Sequence, residues 1–224
     1  MLNELYHKIQ TCHICSQMDP TKSLRLLEAV STNSDVFIIS QSLAEGQLRR
    51  SGVNFFTENG VLGNTGKNLE KFLNKFNRTV FPHRDILLQN GSLVKHNNYI
   101  SVYNTEIAQC YPGKGIKGDR LPTKQEVSTC VNQNFLLEEI KLIKPKLLLL
   151  MGRLSYENFF NNFLKILPPK PLTEYIDTIE DILFIEPMNV HVLPIQHASG
   201  ANPRFGEMIN NEFLIEKIQA ILNP

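Results

Sequence analysis

Long hydrophobic runs are missing from this chain. The longest purely apolar stretch is five residues, Leu147 to Met151, against the ~20 that a bilayer-spanning helix needs. No membrane segment is expected. The N-terminus, MLNELYHKIQTC, has none of the basic start, apolar middle and small-residue cleavage site of a secretory signal. The expectation is a cytoplasmic protein. A surplus of charge is missing too: 23 Lys and Arg face 22 Asp and Glu, a formal net charge of +1. So weak a global field neither requires nor excludes a polyanionic partner, and any nucleic-acid contact must rest on a local patch. Repeats and low-complexity tracts are absent as well. What remains, 224 residues with 42% hydrophobic and 20% charged, has the composition of an ordinary globular chain with room for one sizeable α/β domain.

Four apolar runs read as buried strands: VFIIS (36–40), YISVYNTEI (99–107), LLLLMG (147–152) and VHVLPI (190–195). Segments of helical period lie between and after them. GKNLEKFLNKF (66–76) sets Leu69, Phe72, Leu73 and Phe76 on one stripe. Thr123 to Ile143 opens on Thr-Lys-Gln-Glu after Pro122, a capping-box pattern. Leu154 to Ile166 and Phe205 to Leu222 complete the set. Strands alternating with helices predict a mainly parallel sheet covered on both faces. Ligands of such sheets bind beyond the carboxyl ends of the strands, which selects the loops after Ser40, Ile107, Gly152 and Ile195. Residues 77–98 read as a polar insertion with basic groups (Arg78, His83, Arg84, Lys95, His96), and 113–118 as a mobile loop.

The four cysteines fall as Cys12-x-x-Cys15, Cys110 and Cys130. In a reducing cytosol these are thiols or metal ligands rather than disulfides. Four thiolates can hold zinc or an iron–sulfur cluster, and the spacing alone does not decide between them. The structural alternative makes Cys110 and Cys130 small buried residues and the C-x-x-C a coincidence.

With these residues in view the chain resembles the uracil-DNA glycosylase superfamily, in particular its iron–sulfur family 4. The likeness runs through the C-x-x-C, VFIISQSLAEGQ, GVNFF followed by GNTGKNLEKFL, EIAQCYP…DRLPTKQEVSTC, KPKLLLLMGRLSYENF and LPIQHASG, in the family's order. It implies a three-layer αβα sandwich on a four-stranded parallel sheet, spanning residues 1–224 as one domain. It also implies a 4Fe–4S cluster on Cys12, Cys15, Cys110 and Cys130, with zinc as the alternative. The implied activity is base excision from DNA by a monomer needing no protein partner, in a prokaryotic cytosol.

Departures from the family pattern are as informative. Where the family has Gly-Glu-Ala-Pro-Gly, this chain reads Ser40-Gln41-Ser42-Leu43-Ala44. The acidic residue that would activate water is thus the amide Gln41, which cannot take a proton near neutral pH. Ser42 falls in the base-binding part of the same segment. Glu45, four residues on, is either a replacement carboxylate or a solvated loop charge. Four residues before the third cysteine, the family's uracil-reading Asn is replaced by Glu106. Uracil offers a donor at N3 and an acceptor at O4; a carboxylate only accepts, and so suits a cytosine-like amino group. The alternative has Glu106 turned away and paired with a Lys or Arg. Phe55, the expected stacking partner of a flipped base, is kept. His-Pro-Ser becomes His197-Ala198-Ser199, and His197 is placed to donate to the departing base.

For DNA contact the candidates are Ser199, Asn202, Arg204 and Lys114, with Arg49, Arg50, Lys117 and Arg120 as further cations. Asn202 or Arg204 would fill the gap left by a flipped nucleotide. The leading expectation is a monofunctional glycosylase that removes a non-standard pyrimidine, modified cytosine before uracil, and that serves antiphage defence. A conventional uracil-DNA glycosylase in repair, a DNA-binding protein with a silent site and a zinc-stabilised protein unrelated to DNA are the alternatives.

Overall fold

All four apolar runs form strands. The computed structural model describes residues 1–15, 26–42, 44–45, 51–116, 118–200 and 202–223. In it β1 (Val36–Ser42), β2 (Tyr103–Ala108) and β3 (Leu147–Met151) lie parallel with the last strand, Val190–Ile195. A further strand, β4 (Leu183–Ile185), pairs antiparallel with that last strand, β5, so the sheet order is β4-β5-β3-β1-β2. The expected four-stranded parallel sheet is therefore a five-stranded mixed one. Three residues are too few to show an alternation. The return through Glu186–Met188 and Asn189, whose φ of 49° reverses the chain, needs no crossover helix.

Period-two alternation sorts the strand residues between two cores. Phe37, Ile39, Tyr103, Ile107, Leu148, Leu150 and Val192 pack against α1 (Leu2–Gln10), α3 (Lys124–Val131), α4 (Phe135–Ile143) and α5 (Arg153–Asn158). On the other face Val36, Ile38, Leu147, Leu149, Leu193 and Ile195 meet α2 (Asn64–Leu73), α7 (Pro203–Ile209) and α8 (Glu212–Leu222), while α6 (Leu172–Asp177) leads to β4. These are the three layers. The chain leaves β1 toward α2 on one face, and leaves β2 and β3 toward α3 and α5 on the other. That divergence opens a crevice above the carboxyl end of β1. No helix among the described residues is long and apolar enough to cross a membrane.

Several segments depart from expectation for local reasons. The helical stretch from Thr123 is two helices, split where Asn134 takes φ 62°, a left-handed position that Asn tolerates. Its capping box is present: Thr123 Oγ1 accepts from the Glu126 amide at 3.2 Å, and the Glu126 carboxylate accepts from the Thr123 amide at 2.6 Å. Phe205 to Leu222 divides at Asn211, whose side chain caps α8 by accepting from the Leu214 amide. After α5 the chain continues as π-helix over Phe159–Leu164, where the adjacent Phe159 and Phe160 are both buried.

Residues 77–98 are not simply polar. Ile86, Leu88 and Val94 join Val53 and Phe56 in a small third core. Arg78 is buried at 4% exposure, with its guanidinium on Asp35 and on the Phe76 carbonyl, rather than offered to solvent. The expected mobile loop at 113–118 holds a short hairpin, Lys114–Gly115 pairing with Gly118–Asp119.

Candidate functional site

Parallel pairing puts Ser40 opposite Glu106 and Ser42 opposite Ala108, so the segment with the altered acidic position lies beside the altered Asn position. Gln41 and Ser42 end β1, both half-buried. Glu106 is 3% exposed. The side chains of Ser40, Asn104 and Glu106 meet on one face. Ser40 Oγ donates to Asn104 Oδ1 at 3.1 Å, and Asn104 Nδ2 donates to Glu106 Oε1 at 3.3 Å. Asn54 Nδ2 donates to the Asn104 carbonyl at 3.2 Å, drawing in the loop that carries Phe55. A small cavity of about 40 Å³ is lined by Asn54, Phe55, Phe81 and Asn104 among others, so this contact borders a small open space.

Phe55 is 5% exposed and has φ 68°, a costly conformation for a side chain of this size that surrounding structure must impose. Part of that structure is Gly66 on α2: a Cβ there would lie 2.8 Å from Phe55 Cβ and 3.1 Å from its carbonyl oxygen. The absent side chain at 66 is what lets α2 press on the strained residue.

The same helix reaches the histidine loop. Asn68 Nδ2 donates to the Ala198 carbonyl at 2.9 Å, and Asn202 Nδ2 donates to the His197 carbonyl at 3.2 Å and to Gln196 Oε1 at 3.3 Å. Under the imidazole lies Gly152, at the end of β3 with φ 84°; its amide donates to the Ile195 carbonyl, and a Cβ there would lie 3.4 Å from His197 Cβ. Burial holds the His197 pKa below the ordinary histidine value of 6.5, so the ring is neutral near pH 7 and carries one N–H to donate. β1, β2, β3 and β5 thus each deliver a residue to the crevice above the carboxyl end of the sheet.

Behind this crevice, on the α1–α3 side, are the thiols. Cys110 and Cys130 are buried, Cys12 and Cys15 half-buried. The Gln109 amide donates to Cys130 Sγ at 3.3 Å. Burial, and then the charges of Cys15 and Cys12, push the Cys130 thiol up to about 12. Burial and Cys12 raise that of Cys15, and Cys15 packs on the core that includes Cys110. Soft sulfur donors gathered in one corner fit a thiolate-held group in kind. Among the described residues, however, no three of His, Cys, Asp and Glu stand as a formed metal-holding set.

The family model of the uracil DNA glycosylase superfamily matches residues 28–221. The chain belongs to that superfamily. No curated protein matches it. Superfamily membership makes the protein a DNA glycosylase in general terms, acting on DNA through a hydrolytic chemistry that the crevice can serve. A neutral imidazole donor after β5, a carboxylate on β2 and an aromatic ring between β1 and α2 are groups that suit a reaction in which a base leaves carrying negative charge.

The proposed DNA-contact residues of this glycosylase are scattered in their engagements. Lys114 pairs with Glu45, and also with Asp119 at 3.0 Å; hydrogen bonds to Glu45 and then Asp119 hold its pKa above the ordinary lysine value. Glu45, at 15% side-chain exposure, is neither solvated nor directed at the crevice residues by any of these bonds: its amide donates to Asp119 Oδ2 at 2.9 Å. Arg120 is spent on Glu126, at 2.6 and 2.8 Å, and lowers that carboxyl to about 2. Arg204 is exposed and pairs with Asp177 at 3.2 Å. Ser199 is half-exposed on the histidine loop, its carbonyl accepting from the Asn202 amide at 3.1 Å. Arg49, Arg50 and Lys117 lie outside the described residues. Sequence reasoning missed Asn54, Asn68 and Asn104, which tie the site's loops together; Asn202, a candidate for DNA contact, also holds the His197 carbonyl. Single asparagines in a turn, a helix and a strand carry no signal of such a task.

Proposed function

We propose that this superfamily member is a monofunctional glycosylase that removes a modified cytosine from DNA. The observation that carries the reading is the buried Glu106, held by Asn104 where the family reads uracil with an amide. Its carboxylate accepts from the exocyclic amine of a flipped cytosine-like base, whereas uracil would set O4 against the same negative charge. Phe55 stacks on the ring, and Ser42 borders the base. As the N-glycosidic bond breaks, its electron pair goes to the base and positive charge spreads over the sugar. His197 donates its N–H to the base as that charge builds. Water then adds at the anomeric carbon, oriented by the Gln41 amide, and loses its proton to solvent. The products are free base and an abasic site. Without a general base at 41 the step is slower by the ~10²–10⁴ such help supplies, and His197 carries correspondingly more of the catalysis.

On the DNA side, Ser199 and Asn202 approach the backbone of the flipped nucleotide, with Arg204 and Lys114 as phosphate partners once their carboxylates are displaced. Cys12, Cys15, Cys110 and Cys130 hold a 4Fe–4S cluster that supplies a staple between the N-terminal segment and α3, not reaction chemistry. Purified protein absorbing near ~400 nm, with iron and sulfide in stoichiometric amount, supports this; a colourless zinc protein contradicts it. The biological reading that follows from such a substrate is defence against phage DNA built with modified cytosine, in a prokaryotic cytosol.

Retention of Phe55 favours one second reading, a uracil-excising repair enzyme, since stacking does not distinguish the two pyrimidines. Duplexes carrying uracil, cytosine or a 5-substituted cytosine, assayed for abasic sites under single-turnover conditions, separate the two. Binding to all without abasic sites in any leaves only a DNA-binding protein.

A further inference from the structure

The amino ends of β3 and β5 lie at the pole of the sheet opposite the crevice. A cavity of about 400 Å³ opens there, against about 40 Å³ beside Phe55. Two left-handed residues shape it. Lys144, with φ 53°, turns the chain from α4 toward β3, and Asn189, with φ 49°, turns it into β5. The hollow between these turns is floored by Leu137 and Ile140 of α4, by Pro145 and by Met188. Lys141, Lys144 and Lys146 also line it, all three exposed.

These lysines differ from the cations elsewhere in the chain. Lys8, Arg78, Lys114 and Arg120 are each answered by a carboxylate. Among the described residues, Lys141 and Lys144 have no such partner, and Lys146 donates only to the Leu222 carbonyl, at 3.1 Å. The carboxylates nearest in sequence are directed elsewhere: Glu138 to Lys8 at 3.9 Å, and Glu139 into the core with Tyr103 and Thr105. No acidic residue lines the cavity among the described residues. Bare cations around an apolar floor suit an occupant that is negative at its edges and apolar at its centre.

We propose that this cavity is a docking site for an acidic peptide segment of a partner protein, with one large apolar side chain set between carboxylates. The apolar side chain fills the floor, where Met188 adapts to its shape, and the carboxylates meet the three ammonium groups. A nucleic acid would satisfy the lysines with phosphates but find no aromatic ring here on which to stack a base. β3 and β5 are five and six residues long, so roughly 17–20 Å of strand separates this pole from the crevice. Partner and DNA therefore bind at the same time, and the inference does not rest on the reading of Glu106.

The test uses full-length protein and a fluorescein-labelled peptide in which aspartates flank one central phenylalanine. Saturable binding is expected by fluorescence anisotropy, with amide chemical-shift changes grouped at 137–146 and 187–189. Lys141→Glu and Lys144→Glu, at exposed positions, are each expected to weaken it about tenfold. Met188→Ala is expected to weaken it about threefold, and to leave a control peptide with serine in place of phenylalanine unaffected.

No saturation by about 1 mM peptide overturns the proposal, as do shift changes at the crevice instead. Equal binding of the serine control reduces the cavity to a cation patch without a use for its floor. Displacement of the peptide by a single-stranded oligonucleotide that the same lysine variants weaken equally assigns the patch to nucleic acid. Lys141 stands in the last turn of α4, where a cation complements the helix end. If Lys141→Glu and Lys144→Glu lower the urea midpoint but leave peptide affinity unchanged, that is their whole role and the docking site is overturned.

Discussion

The two faces of β2 each present a buried carboxylate, and they are built to different ends. On the helical face Glu139 of α4 is fully buried and accepts from Tyr103, Thr105 and Gln109 at 2.7, 2.8 and 3.0 Å, with Tyr6 hydrogen-bonded to Tyr103 in turn. That network knits α1, β2 and α4 through the middle of a core. On the opposite face Glu106 sits near the strand's end, touched by Asn104 at 3.3 Å and neighboured by the strained loop of Phe55. Burial is nearly the same, 0% against 3%, so burial does not mark the site. Location does: Glu139 reaches the strand amid packed helices, whereas Glu106 lies near the carboxyl ends of β1 and β2, two residues before their pairing ends.

If this contrast holds, the largest effect belongs to the structural carboxylate. Glu139→Ala strands several buried donors and should cost roughly 4 kcal/mol of stability, measured by urea unfolding. A loss under ~1 kcal/mol would erase the distinction. Next comes His197→Ala, expected to lower excision by ~10²-fold or more with DNA affinity nearly unchanged, because its bond strengthens only as the base takes up charge. Binding and excision that fall together would make His197 a DNA-positioning residue.

Glu106→Gln should do the reverse of Glu139→Ala. Its cost in stability is expected below ~1 kcal/mol, since the amide keeps both shape and hydrogen-bonding capacity, while base choice changes about tenfold. Unfolding curves and excision ratios measured on the same preparations check this. The smallest effect is one of pH. Burial places the His197 pKa in the folded protein below 6.5, so the unfolded chain takes up a proton first as pH falls. The associated stability is present above 6.5 and is lost on acidification below it. His197→Gln should therefore flatten the fall in stability as pH drops below 6.5, and an unchanged profile would place the ring in solvent.

Much of this was legible in the residues themselves. The apolar runs gave three strands to within two residues, because buried parallel strands are continuous hydrophobic segments, whereas the run at 99–107 enters the sheet only from Tyr103, with Ile100–Ser101 paired instead to Arg78–Thr79; Thr123 with Glu126 marked a helix start that the structure keeps. The edge strand Leu183–Ile185 was not legible, since its partner across a short turn, not its pattern, makes it a strand. Breaks at Asn134 and Asn211 were hidden by helical periodicity that carries on through both. Of the candidate site, Phe55, Glu106, Gln41 and His197 were named through motif order, and they lie on segments at the carboxyl end of the sheet or hydrogen-bonded to it. Gly66 and Gly152 were not found, because what matters there is the absence of an atom next to a residue distant in sequence. Charges were read least well: Arg78, taken as a basic group of a polar insertion, is buried on Asp35, and Arg120, a candidate for phosphate, is paired with Glu126.

The central claim, that Glu106 makes this glycosylase select an amino-bearing pyrimidine, is tested most directly by one rate comparison. Wild-type protein is mixed in excess with otherwise identical duplexes carrying one uracil or one 5-hydroxymethylcytosine, and abasic sites are counted over time. The account predicts faster excision of the modified cytosine, by about tenfold or more. Rapid removal of uracil, with the modified cytosine left in place, would contradict it.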